Sequence, residues 1–127
     1  MDETMLMQAA MDARKNAHCP YSGFAVGAAL LTADGSLYTG CNVENASYSL
    51  GCCAERTAIF KAVSDGQREF SAIAICGAPV GESPEAPCIP CGACLQVMAE
   101  FCGDDFPILL TDGVHVLGEF LPKRFVL

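Results

Sequence analysis

The sequence predicts an α/β fold, a sheet sandwiched by helices. Two observations carry that prediction. By the period of their apolar residues, three segments read as helices and five shorter ones as strands. Their order, α-β-β-α-β-α-β-β, then requires an antiparallel hairpin and some parallel pairing.

Residues 3 to 17 read as the first helix: Leu6, Ala10, Ala13 and Ala17 share a stripe, and Asp12, Arg14 and Lys15 lie off it. Cys19-Pro20-Tyr21-Ser22-Gly23 breaks the pattern into a loop. Ala25 to Thr32 is small and aliphatic, a strand buried on both faces. Asp34-Gly35 signals a hairpin turn, and Leu37 to Cys41 returns as the second strand. A polar loop, Asn42 to Ala46, follows at the strand end. Cys53 to Val63 reads as the second helix, with Ala54, Ala58, Phe60, Ala62 and Val63 for packing and Gly66 as its stop. Phe70 to Cys76 is the third strand. Ala78 to Pro90 holds four prolines and reads as a loop. Cys91 to Phe101 is the third helix, ended by Gly103. Pro107 to Thr111 and Val114 to Leu117 flank the turn Asp112-Gly113 as the fourth and fifth strands. The chain shows no internal repeat, and residues 1–127 read as one domain.

Composition narrows the function. The chain is 52% hydrophobic and 17% charged, which hints at surface buried between subunits. Fifteen acidic residues against seven basic ones give a formal charge of −8, with no basic stripe. Binding to nucleic acid through phosphates is therefore disfavoured. The acidic start carries no secretory signal, and the apolar run from Ala25 to Leu31 is far short of a membrane span. Nine cysteines, an odd number, fit a reducing, cytoplasmic setting in which they serve as metal ligands or buried thiols.

Two short stretches carry the chemistry, Cys53-Ala54-Glu55-Arg56 and Pro90-Cys91-Gly92-Ala93-Cys94. Together they offer three thiolates and a carboxylate. Three protein ligands with an open fourth position suit a catalytic zinc. Cys53 and Cys91 each begin a helix, where partial positive charge favours the thiolate, and Cys94 shares a helix face with Cys91 at i+3. Three thiolates and Zn2+ sum to −1. Arg56 is placed to hydrogen-bond a ligand sulfur and offset that charge, leaving Glu55 free to carry protons.

Other readings of the same residues stand beside this one. A Cys-x-x-Cys alone also serves redox pairs and structural zinc sites. Cys88 precedes Cys91 by three, so a closed four-cysteine site, or a register using Cys88 and Cys91, is open; the later pair is preferred because Pro90 interrupts the earlier one. Cys88, Cys91 and Cys94 also fit part of an iron–sulfur run, but Met98 stands where a fourth cysteine belongs. Cys19, Cys41, Cys52, Cys76 and Cys102 read as small buried side chains, and His18 and His115 as structural or surface residues without partner spacing.

The chain resembles the small, three-cysteine cytidine deaminases over most of its length. The matching runs are Tyr21 to Leu30, Gly40 to Tyr48, Cys53 to Ala58 and Pro90 to Cys94, in that order. The resemblance implies a three-layer α/β/α sandwich with a five-stranded mixed sheet, one zinc ion per chain, and a homotetramer whose sites are shared between subunits. It implies hydrolytic deamination of cytidine and 2′-deoxycytidine in pyrimidine salvage. Residue by residue, Cys53, Cys91 and Cys94 match zinc ligands and Glu55 the catalytic acid. Asn42 and Glu44 match residues that hold ribose hydroxyls, Phe24 one that packs on the base, and the Ala54 amide a contact to the base carbonyl. Ala46 and Tyr48 match residues lent by a neighbouring subunit, and Phe125 one that stacks on the pyrimidine in another subunit's site. Leu95 departs from the pattern, standing where an Arg commonly follows Cys-Gly-Ala-Cys. A blasticidin-type deaminase, a polynucleotide deaminase and a non-enzymatic zinc module are the rival functions. Asn42 and Glu44 weigh against the first, the acidic charge against the second, and Glu55 against the third.

Overall fold

Five strands form one mixed sheet in the order β2-β1-β3-β4-β5, described over residues 1–127 in a computed structural model. The strands are β1 Phe24–Thr32, β2 Leu37–Cys41, β3 Phe70–Pro79, β4 Pro107–Leu110 and β5 Gly113–Val116. Both hairpins are antiparallel, β1 also runs antiparallel to β3, and β3 pairs parallel with β4. The helices are α1 Glu3–Ala13, α2 Ala54–Ser64, α3 Gly92–Phe101 and a single turn, α4 Leu117–Phe120.

Period-two alternation distributes the strand residues between two cores. Ala28 and Leu30 of β1 and Ile73 and Ile75 of β3 face α2 and α3 in the larger cluster, which also buries Ile59, Met98 and Ile108. Ala29, Ala74 and Cys76 face the other way, against Leu6 and Ala10 of α1. Helix α1 sits close: a Cβ on Gly27 would lie 1.9 Å from the Ala10 carbonyl oxygen, so only glycine fits there. Asp2 caps α1 by accepting the Met5 amide at 2.8 Å.

Several sequence expectations need correction. Helix α1 ends at Ala13; a 3₁₀ turn covers Arg14–Asn16, and Ala17 stands outside the stripe. Strand β3 runs on to Pro79 because β1 supplies partners as far as Phe24, so the loop starts later than its prolines suggest. Phe60 is exposed, pointing off the packed face of α2. Leu117 leaves the fifth strand and opens α4, where it is fully buried. The sheet topology then positions the chemistry. Strands β2 and β3 both run antiparallel to β1, so they end at the same side of the sheet, and α2 and α3 follow from those ends.

Candidate active site

Cys53 and Cys91 are the N-cap residues of α2 and α3, both with extended backbone. Serine or aspartate at such positions usually bonds its own helix amides. Neither cysteine does, and the sulfurs turn toward each other instead. The Cys53 and Cys91 Sγ atoms are 3.8 Å apart, and Cys94, one turn into α3, places its Sγ 3.6 Å from that of Cys91. All three sulfurs lie within 4.8 Å of one another. Zinc–sulfur bonds of about 2.3 Å in a tetrahedron separate sulfurs by about 3.8 Å, so the cluster fits one zinc ion. Cys88 stands outside the cluster, a geometry that favours the register of Cys91 and Cys94. Burial pushes the Cys88 thiol up to about 11, the behaviour of an inert side chain.

The three thiols and their neighbours shift one another's protonation. A hydrogen bond shared with Cys94 is the largest influence holding the Cys53 thiol down to about 5, with Arg56 assisting. The same shared proton, with burial, pushes Cys94 up. Arg56 donates from Nη2 to the Cys53 sulfur at 3.4 Å, and its Nε is buried without a partner. A buried guanidinium donor left over beside sulfurs matches a centre rich in negative charge. Glu55 is 4% exposed, and burial pushes its carboxyl up to about 7.

The remaining predicted residues fall into three places. Phe24 opens β1 and is partly exposed; a Cβ on Gly77 of β3 would meet its ring edge at 2.8 Å and the Cys88 sulfur at 3.0 Å. Asn42 is committed at both ends of its amide, accepting from the Val26 amide and donating to the Phe24 carbonyl, each at 2.8 Å. Glu44 accepts from the amides of Tyr21 and Ser22 at 3.0 and 3.1 Å through Oε1, and from the Ser22 hydroxyl at 2.5 Å through Oε2. Glu44 lines a cavity of about 350 Å³ with Tyr21, Ser22, Asn45, Tyr48 and Gly51. Ala54 lies in the first turn of α2, where amides lack intrahelical acceptors, but it is fully buried. Ala46 and Tyr48 sit on the surface, Tyr48 being 81% exposed with its ring edge-on to Tyr21. Phe125 is 69% exposed, outside the cysteine cluster.

Sequence reasoning missed Ser22 as an organising residue; the signal was its place in the loop before β1, which only contact with Glu44 makes meaningful. It also missed the partners of His115, which bonds Asp112 at 2.8 Å and Glu119 at 2.9 Å. Acidic residues three before and four after it were visible, but the turn that gathers them was not. Leu95, in place of an Arg, joins the core beside Cys94.

Comparison with known proteins adds to this geometry. The family described as the cytidine and deoxycytidylate deaminase zinc-binding region matches residues 1–110. A cytidine deaminase from Halalkalibacterium halodurans is 53% identical over 130 residues, covering 98% of this chain and 95% of that protein. The crystal structure of cytidine deaminase from Burkholderia pseudomallei superposes with a TM-score of 0.88 at 48% identity, covering 98% of this chain and all of that one (100%). That of cytidine deaminase from Mycobacterium tuberculosis gives 0.85 at 39% identity, covering 100% of this chain and 99% of that one.

Proposed function

The chain belongs to the cytidine and deoxycytidylate deaminase zinc-binding family, and from that premise we propose that it hydrolyses cytidine and 2′-deoxycytidine to uridine and 2′-deoxyuridine, releasing ammonia. The observation that carries the reading is a buried carboxylate, Glu55, two residues from a sulfur cluster with zinc spacing. Cys53, Cys91 and Cys94 hold the zinc, which when bound supplies a Lewis acid that makes water nucleophilic near neutral pH. Glu55 takes a proton from the attacking water and delivers it to N3 of the cytosine ring. It then takes the remaining proton from the hydroxyl added at C4 and passes it to the amine as the C4–N bond breaks and the carbonyl forms, so one water enters and one ammonia departs. Arg56 stays protonated against the Cys53 sulfur and balances the thiolate charge.

The nucleoside is held by neutral recognition. Phe24 packs on the base, and the Ala54 amide, in the first turn of α2, meets its carbonyl. Glu44 has acceptor capacity left beyond its three bonds, and Asn42 has a second amide proton, so both remain able to read sugar hydroxyls. A carboxylate at the sugar end also repels a phosphate. In this reading residues 1–127 act as one catalytic domain in the cytoplasm, serving pyrimidine salvage. The exposed Tyr48, Leu50, Phe125 and Val126 suit burial in a homotetramer, with Ala46, Tyr48 and Phe125 lent to neighbouring sites. No helix is long and apolar enough to cross a membrane.

Incubation of the purified protein with cytidine, with and without a zinc chelator, tests the reading by ultraviolet absorbance. Loss of the cytosine band with uridine and ammonia as products, blocked by the chelator, is the expected result. No conversion of either nucleoside by protein carrying one zinc per chain would overturn it.

A further inference from the structure

Ser22 links two parts of the site that its sequence neighbours do not. Its hydroxyl donates to Glu44 Oε2 at 2.5 Å and accepts the amide of Phe24 at 3.0 Å. One hydroxyl has one proton and two lone pairs, so both bonds coexist and fix the direction of the proton toward the carboxylate. The surrounding backbone brings these groups together. The Glu44 amide donates to the His18 carbonyl at 2.8 Å and the His18 amide to the Asn42 carbonyl at 3.0 Å, which lays the loop before β1 against the loop after β2.

We propose that Ser22 is the positioning residue for sugar recognition, setting the Glu44 carboxylate so that its free acceptor sites face the neighbouring cavity. The proposal rests on the reading that Glu44 meets the sugar hydroxyls. The Oε1 atom is held by two backbone amides, which no side-chain change removes. Oε2 has the Ser22 hydroxyl as its protein partner, so that one bond decides the rotation of the carboxylate about its anchored oxygen. The cavity beside it, about 350 Å³, is lined by Ser22 and Glu44 together with Tyr21, Asn45 and Tyr48. The Ser22 bond also holds the Glu44 carboxyl below the usual carboxylate range. Because Ser22 also bonds the Phe24 amide, the sugar end and the base end of the site share one hydroxyl.

The test compares 2′-deoxycytidine with 2′,3′-dideoxycytidine, which lacks the 3′-hydroxyl. S22A should raise KM for the deoxynucleoside about tenfold, the effect of one hydrogen bond to a charged group, with kcat within about twofold. Its penalty on kcat/KM for the dideoxynucleoside should be several-fold smaller, and S22T, which restores a hydroxyl, should recover most of the loss. Equal penalties on the two nucleosides, or none on either, would overturn the proposal. E44Q, measured in parallel, separates the two ideas. If E44Q discriminates between the nucleosides and S22A does not, the proposal about Ser22 fails alone. If E44Q does not discriminate either, the reading of Glu44 fails with it.

Discussion

The sulfurs of Cys53 and Cys91 meet across 3.8 Å although 38 residues separate them in the chain. Each is the cap of the helix that follows a strand, reached by a connection from Cys41 to Cys53 in one case and from Pro79 to Cys91 in the other, and the two strand ends lie at the same side of the sheet. The metal centre is thus a consequence of topology. C53S should abolish stoichiometric zinc, since it removes one of the three clustered sulfurs proposed to hold the metal. C88S should keep one zinc per chain, because that thiol lies outside the cluster and is protonated by burial. Metal analysis after dialysis decides the matter, and zinc loss in C88S would move the register.

Glu55 places a carboxylate in the interior with 4% of its surface exposed. Such burial is costly for a residue with only a structural part to play, and a neutral glutamine of the same shape avoids it. E55Q should therefore fold and hold zinc as the parent does. Its turnover of cytidine should fall by about 10²–10⁴, the usual contribution of a proton carrier, and parent-level turnover would exclude the role.

Much of this was legible in the sequence, for physical reasons that differ by residue. Cys91 and Cys94 at i+3 announce a shared helix face before any fold is known. Cys53 and Glu55 are legible once the helix start is recognised, because two residues along the first turn separate a cap from a buried side chain. What the sequence hides are contacts between segments distant in the chain. The Ser22–Glu44 bond spans 22 residues and has no local pattern. Phe60 looks like core by type, yet its place on α2 turns it to solvent. The length of β3 depends on how far β1 supplies partners, which its own prolines cannot disclose.

His115 sits between two carboxylates, Asp112 at 2.8 Å and Glu119 at 2.9 Å, with the Phe120 ring 5.2 Å from its own. Asp112 first, then Glu119, raises its pKa above the ordinary value. A raised folded pKa stabilises the protein fully below the unfolded value, about 6.5, and the contribution is lost as pH rises through the folded value. H115Q should therefore lower the thermal midpoint most at mildly acidic pH, with the gap narrowing as pH rises. The lost packing on Phe120 leaves a constant remainder. A gap that widens with pH would contradict the ion pairs.

Arg124 fastens the tail to α3, donating from Nη1 to the carbonyls of Ala99 and Cys102 at 2.9 and 2.8 Å and from Nη2 to Asp104 at 2.7 Å. Gln96 adds a bond to the Phe125 carbonyl at 3.1 Å. The helix that supplies two sulfurs thus also holds the tail, and the next ring is left in solvent. A hydrogen-bonded backbone carrying an exposed aromatic ring suits contact with something outside the chain. In the proposed tetramer that is the pyrimidine in a neighbour's site. F125A removes the ring and leaves those tail bonds, so zinc content and thermal midpoint should hold while KM for cytidine rises about tenfold, as for loss of a base-stacking ring. R124A should raise KM similarly but also lower the midpoint, because two carbonyls at the end of α3 lose their donor. An F125A enzyme with unchanged KM would place the ring outside every active site and leave the tail a purely structural strap.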